Sequence, residues 1–273
     1  MSRLFRTAQK LHRVLRAFPG LRQRIDSVCV EYHEIQENFN YDLNSNGERW
    51  LLEKLASRSL LKNVFDVGAN RGDWTKLVLA ANPAATMHCF EICQPTFQKL
   101  TASLAAADKT NVFLNPYGLS ESPGKIKIKY CPTGDGGTTM FDLVLPLDFE
   151  IMEAKVDSGK NYCVQHGVKK IDCLKIDVEG AGHLVLRGFE DMLNPADVPV
   201  VQFEYNIINI LTKFLLRDYY AFFESRGYKV GKLFPESVRF REYRFLDEDF
   251  RGPNYVAASP QIAPLLTTKR KTE

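Results

Sequence analysis

No pair among the six cysteines is spaced C-x-x-C, and the five histidines form no H-x-H or H-x-x-x-H pair. Cys89 and Cys173 sit inside apolar, strand-like runs, so buried free thiols in a reducing cytoplasm are expected rather than a disulfide framework. A zinc site has no support from these spacings. Nor is there an apolar run near the roughly 18 to 20 residues needed to span a bilayer. A large charge excess is missing too: 36 basic residues face 33 acidic ones, a net charge of +3. With no segregated, aromatic-rich basic patch, nucleic acid is not expected as the partner. Internal repeats and low-complexity tracts are also absent.

Local charge is present at the N-terminus. Arg3, Arg6, Lys10, Arg13, Arg16, Arg22 and Arg24 all precede the first acid, Asp26. Leu4, Ala8, Leu11, Leu15 and Phe18 fall at helical spacing and make one apolar stripe. Residues 1–40 therefore read as a basic amphipathic helical extension with three open readings. It packs on the domain, lies on an anionic membrane surface, or is a transit peptide. The expected location is cytoplasmic, with peripheral membrane contact as the second of these readings.

With 273 residues, 45% of them hydrophobic, the chain can bury the core of one ordinary α/β domain. Residues 41–260 read as that domain, and 261–273 as a flexible basic tail. After a mixed polar stretch to about residue 59, strands are expected at 63–68, 86–91, 111–114, 125–130, 171–177, 198–204, 228–233 and 254–258. Helices are expected at 73–81, 95–107, from Gly180 to about 193, and at 210–227. Residues 131–157, with Gly134, Gly136 and Gly137, read as a mobile loop or lid. Strands alternating with helices predict a largely parallel sheet covered on both faces.

In such sheets ligands bind beyond the carboxyl ends of the strands. Asp66-Val-Gly-Ala-Asn-Arg-Gly-Asp73 is a strand end, a glycine turn and a helix start, which makes Asp66, Gly68, Asn70, Gly72 and Asp73 candidate cofactor residues. The glycines are spaced G-x-x-x-G, not the G-x-G-x-x-G that seats a pyrophosphate. Asp66 and Asp73 would repel phosphate but suit an ammonium or sulfonium cation. S-adenosylmethionine carries both cations and no phosphate. Glu91, 19 residues beyond Gly72, can accept hydrogen bonds from both ribose hydroxyls. Asn115, at the end of the third strand, joins the cofactor candidates.

At the reacting end, Asp177 and Glu179 flank one strand end, and Glu204 closes the next. Methyl transfer from a sulfonium releases a neutral thioether, so the protein must align the acceptor and remove its proton. Either a carboxylate is that base, or Asp177 and Glu204 hold a divalent metal that lowers the hydroxyl pKa. Asp177 could instead hold the cofactor's amino group, and Glu179 could cap the following helix. His183, one turn beyond Glu179, is a further candidate base.

These residues together resemble the FkbM family of methyltransferases. The matching stretches are Phe65-Asp-Val-Gly-Ala-Asn-Arg-Gly72, Phe90-Glu91, Val156-Asp157 and Ile171-Asp-Cys-Leu-Lys-Ile-Asp-Val-Glu-Gly180. Val185-Leu-Arg-Gly188, Glu204 and Asn46-Gly47-Glu48 fit as well, so the resemblance covers roughly residues 40 to 258. It implies a class I methyltransferase, Rossmann-like: a mostly parallel seven-stranded sheet, helices on both faces and an antiparallel last strand. It also implies O-methylation, with a sugar of a glycan or glycolipid, or a polyketide-like small molecule, as acceptor. A non-catalytic module that keeps the fold is the alternative from another class. Three departures stand out. Ile92-Cys93 follows Glu91 where the family usually has proline. Gly182 stands where a second acid is common, and the segment from Gly136 to Lys155 is longer than usual.

Overall fold

The computed structural model describes residues 2–105, 110–132, 138–141 and 148–267. It divides into two compact units, Met1–Asn40 and Tyr41–Glu273. The first unit consists of helices α1 (Arg3–Leu15) and α2 (Pro19–Gln36). Ser2 caps α1, its Oγ accepting from the Phe5 amide at 3.2 Å, while Pro19 supplies the preset φ that suits a first helical turn. No helix among the described residues is long and apolar enough to cross a membrane.

The second unit begins with helix α3 (Glu48–Ala56), in the stretch read as merely polar. Leu51, Leu52 and Leu55 supply its buried stripe, too short for its period to stand out from the flanking charges. There follow β1 (Asn63–Val67), α4 (Asp73–Ala81), β2 (Thr86–Phe90), α5 (Gln94–Ser103), β3 (Val112–Asn115), β4 (Gly118–Ser120), β5 (Gly124–Tyr130) and β6 (Glu150–Ser158). The chain continues through α6 (Gly159–His166), β7 (Cys173–Ile176), α7 (Gly182–Gly188), β8 (Val200–Glu204), α8 (Asn209–Thr212), α9 (Leu216–Glu224), β9 (Lys229–Phe234), β10 (Ser237–Phe240) and β11 (Asn254–Ala258).

The main sheet has the order β10-β9-β11-β8-β7-β1-β2-β3. Strands β8, β7, β1, β2 and β3 are parallel, and β11 runs antiparallel between β8 and β9. This is the expected Rossmann-like sheet with its antiparallel last strand. It has eight strands rather than seven, because β10 folds back on β9 as an edge hairpin. Alternating side chains feed two cores. On one face Phe65, Phe90, Ile176 and Phe203 pack with Tyr162, Val185, Tyr219 and Phe223 of α6, α7 and α9. On the other, Val64, Met87, Cys173 and Val200 pack with Leu51, Trp74, Val78 and Leu100 of α3, α4 and α5. Cys89, Cys93, Cys131, Cys163 and Cys173 are buried thiols outside any disulfide, and Cys29 is exposed.

Several boundaries differ from expectation. The segment read as a lid contains β6, which pairs antiparallel with β5 over residues 150–156 and parallel with β4, making a second, three-stranded sheet. Its Ala154 and Val156 alternate inward beside charged Glu153 and Lys155, a run too short for its period to stand out. Residues 133–137 and 142–147 of that lid lie outside the described residues. The long helix expected at 210–227 is two, α8 and α9, separated at Lys213, whose φ is +57°. The supposed tail is anchored through buried Ile262, Ala263 and Leu266; residues 268–273 lie outside the description.

Candidate active site

The parallel strands all end at one edge of the sheet, and a cleft of about 680 Å³ opens there. That volume falls within the ~300–1,000 Å³ of typical small-molecule sites. The turn after β1 forms one side. Gly68 (φ +86°) lines the cleft, but its lack of a side chain answers a nearer demand. A Cβ there would lie 1.8 Å from the carbonyl oxygen of Asp177. The glycine lets the ends of β1 and β7 close on each other. Gly72 (φ +84°) opens α4, where a Cβ would meet Leu100 at 2.8 Å, so this glycine answers to helix packing rather than to a ligand.

Glu91 follows β2 and is 6% exposed. One carboxylate oxygen accepts from the amide of Asn70 and the other from the amide of Cys93, both at 2.9 Å. A carboxylate has about four acceptor positions, so each oxygen keeps one for a ligand in the cleft. Burial pushes its pKa up to about 7 against the pull of these two amides, with Asp66 and Asp177 adding to the rise.

Opposite stand the ends of β7 and β8. Asp177, Glu179 and Glu204 each offer a carboxylate oxygen within 4.8 Å of the others. The backbone brings them together through a sharp turn: Glu179 (φ +46°) and Gly180 (φ +91°) both adopt left-handed conformations. Burial, then the charge of Asp177, raises Glu179 to about 8. Glu204 is pushed well above the carboxylate range by burial and by Asp177 and Glu179. Tyr41, at the cleft wall, is raised to about 12 by burial and by the same acids, Glu204 foremost.

Beneath this cluster lies a lysine that sequence reasoning missed. Lys175, on β7, is 5% exposed and donates to Asp177 at 2.9 Å, with Asp66 at 3.7 Å. Burial pulls its pKa down, but Asp177, Asp66 and Glu48 outweigh that, and the ammonium stays charged. Glu48 in turn accepts from Asn46 at 2.7 Å and from Gln202 of β8. A lysine inside Cys173-Leu-Lys-Ile176, buried at every position, was the available signal.

The candidate residues divide accordingly. Gly68, Asn70, Asp73, Glu91, Asp177, Glu179 and Glu204 line the cleft; Asp66, Gly72, Asn115 and His183 do not. Asp66 is wholly buried beneath it, accepting from Thr75 at 2.7 Å. Asp73 faces the cleft but pairs with Lys76 at 3.1 Å on the surface. Asn115 donates to the Cys89 carbonyl at 3.0 Å inside the sheet. His183 stacks on Phe214 with ring centroids 5.1 Å apart, its Nδ1 3.2 Å from the Gly180 carbonyl, so it is turned from the carboxylates. The N-cap of α7 is Ala181, with no side-chain cap, so Glu179 is not spent on capping. Gly182 has no room for an acid, since a Cβ would meet the Tyr219 hydroxyl at 2.9 Å.

The remaining wall comes from the small sheet and the segment beside it. Ile126, Ile128 and Val156 present apolar surface, and the Thr139 hydroxyl donates to the Glu179 carbonyl at 3.1 Å. Ile92, where the family usually has proline, also lines the cleft and fills the space beside Gly118.

A family model described as "Methyltransferase FkbM domain" matches residues 66–230. The hexuronic acid methyltransferase AglP of Haloferax volcanii is 30% identical over 154 residues, covering 56% of this chain and 59% of that protein. Methyltransferase 1 of Beauveria bassiana is 24% identical over 145 residues, 47% of this chain and 58% of that protein. The chain thus spans less than two thirds of either relative's length. The crystal structure of an FkbM methyltransferase from Methylobacillus flagellatus overlays with a TM-score of 0.49 at 13% identity, over 73% of this chain and 44% of that one.

Proposed function

The chain belongs to the FkbM methyltransferase family, and on that premise we propose that it transfers a methyl group from S-adenosylmethionine to a sugar hydroxyl. The observation that carries this reading is the convergence of Asp177, Glu179 and Glu204 in one cleft with Glu91. Glu91 suits the ribose: it is held by two backbone amides and keeps an acceptor position on each oxygen. S-adenosylmethionine supplies the sulfonium methyl group. Transfer breaks the S–C bond, forms the O–C bond and leaves a neutral thioether. The hydroxyl proton must then go to the protein. Glu179, raised to about 8, is matched to receive it near neutral pH. Lys175 holds Asp177 in place beneath the reacting atoms and supplies the cluster's one buried positive charge among the described residues.

The three carboxylates also fit a hard divalent cation, which prefers oxygen ligands. They would hold it, and it would lower the pKa of a bound hydroxyl. The name of the Haloferax relative, a hexuronic acid methyltransferase, favours a sugar acceptor over a polyketide-like one. The test is methyl transfer from labelled donor to a panel of uronic-acid-containing and neutral glycans, with and without a chelator. Label in a sugar O-methyl group supports the reading. Labelling only of non-sugar acceptors overturns the sugar assignment, and no labelling of any acceptor by a protein that binds S-adenosylhomocysteine favours the non-catalytic module. A chelator-sensitive rate assigns the carboxylates to a cation, and an insensitive one to the base.

A further inference from the structure

Unit 1 carries a surface that the chemistry of the cleft does not use. At 100° per residue, Leu4, Ala8, Leu11 and Leu15 lie along one side of α1, with Arg3, Arg6, Lys10 and Arg13 on the other. Of the apolar set only Leu15 is buried; Leu4 is 82% exposed and Leu11 53%, and Phe18, just past the helix, is 57% exposed. A helix stripe of this kind normally goes into a core. Here it stays open, flanked by cations and free of acids throughout α1.

We propose that α1, with its exposed apolar stripe and cationic flank, docks this protein on an anionic lipid bilayer. Charge decides between occupants. A second copy carries the same acid-free cationic helix and is disfavoured by like charge, whereas an anionic headgroup layer complements it. Thirteen residues make a helix of about 20 Å, too short to span and suited to lie in the interface. This inference does not depend on the acceptor or on the reaction.

The test is co-sedimentation of the full chain with vesicles of phosphatidylcholine alone or mixed with phosphatidylglycerol, at low and high salt. The thermal shift given by S-adenosylhomocysteine is read on the same samples. Binding to the anionic vesicles, weakened by salt, is expected. Leu11→Asp should abolish it, and each of Arg6→Glu and Lys10→Glu should reduce it by about fivefold or more. Equal binding to neutral vesicles, or no binding, overturns the proposal. So does concentration-dependent self-association that Leu11→Asp removes while vesicles stay bare. A retained thermal shift separates these failures from failure of the methyltransferase reading.

Discussion

Glu91 is buried and Glu179 half-buried in the same cleft, and their surroundings are opposite. Glu91 is anchored by the amides of Asn70 and Cys93, and its charge is met by backbone dipoles. Glu179 is crowded by Asp177 and Glu204, with oxygens of all three within 4.8 Å. A carboxylate satisfied by fixed donors is a stationary acceptor, suited to gripping a ligand. Carboxylates crowded against each other hold their protons poorly defined between them, and that is the state from which a proton can be taken up. On the proposed function, one end of the cleft suits binding and the other suits reaction.

The largest expected effect breaks the reacting end alone. Glu179→Gln should lower turnover roughly 100- to 10,000-fold, the usual contribution of a general base, while S-adenosylhomocysteine still binds. Sign follows from direction: a base raised to about 8 accepts a proton only when ionised, so the wild-type rate should climb with pH and level off above about 8. A flat profile from pH 6 to 9 would remove Glu179 and its neighbours from that role.

Next comes the hinge between the two ends. Gly68→Ala places a methyl 1.8 Å from the Asp177 carbonyl, in left-handed backbone. Separating β1 from β7 should cost ~3 kcal/mol or more and shift Asp177 as well, so stability and turnover should fall together. Denaturant unfolding beside kinetic assay checks it. A stable but inactive variant would mean that the glycine serves the ligand and not the strand contact.

At the binding end, Glu91→Ala should abolish the thermal shift given by S-adenosylhomocysteine. At a hundred times the dissociation constant that shift is worth about 2.7 kcal/mol, or roughly 5 to 10 °C for a domain of this size. Retention of the full shift would sink the ribose assignment, and a shift with NADH would point to another nucleotide.

The two ends also differ in how far the sequence discloses them. Glu91 and Gly68 are legible because a strand, a glycine turn and an acid at a fixed distance follow each other along one chain segment. Alternating buried runs likewise disclose the parallel sheet and its two covered faces. Lys175 is not legible in the same way. Only the register that sets Asp66 against Lys175 across β1 and β7 makes it the partner of two acids. Glu48 and Gln202 are 154 positions apart and meet only in the folded state. The small sheet escapes because β4 and β6 are joined by non-local pairing, and the inward run of β6 is too short to show its period. Exposed α1 is the reverse case: its stripe is plain in the sequence, but period says nothing about what covers it.

The smallest expected effect concerns His183, which periodicity places near Glu179. A regular helix would carry both side chains on one face, three to four residues apart. The left-handed residues Glu179 and Gly180 break that rule, because α7 begins only at Gly182 and Glu179 stays in the turn. His183 then leaves the cleft and stacks on Phe214, where burial lowers its pKa despite the Gly180 carbonyl. His183→Ala should therefore cost about 1 kcal/mol of stability through the lost stack, and leave turnover within about twofold. His183→Phe should restore the stability without altering the rate. A drop of about a hundredfold in both variants would instead make the imidazole the base, and it would require the turn at Glu179 to rearrange when ligands bind.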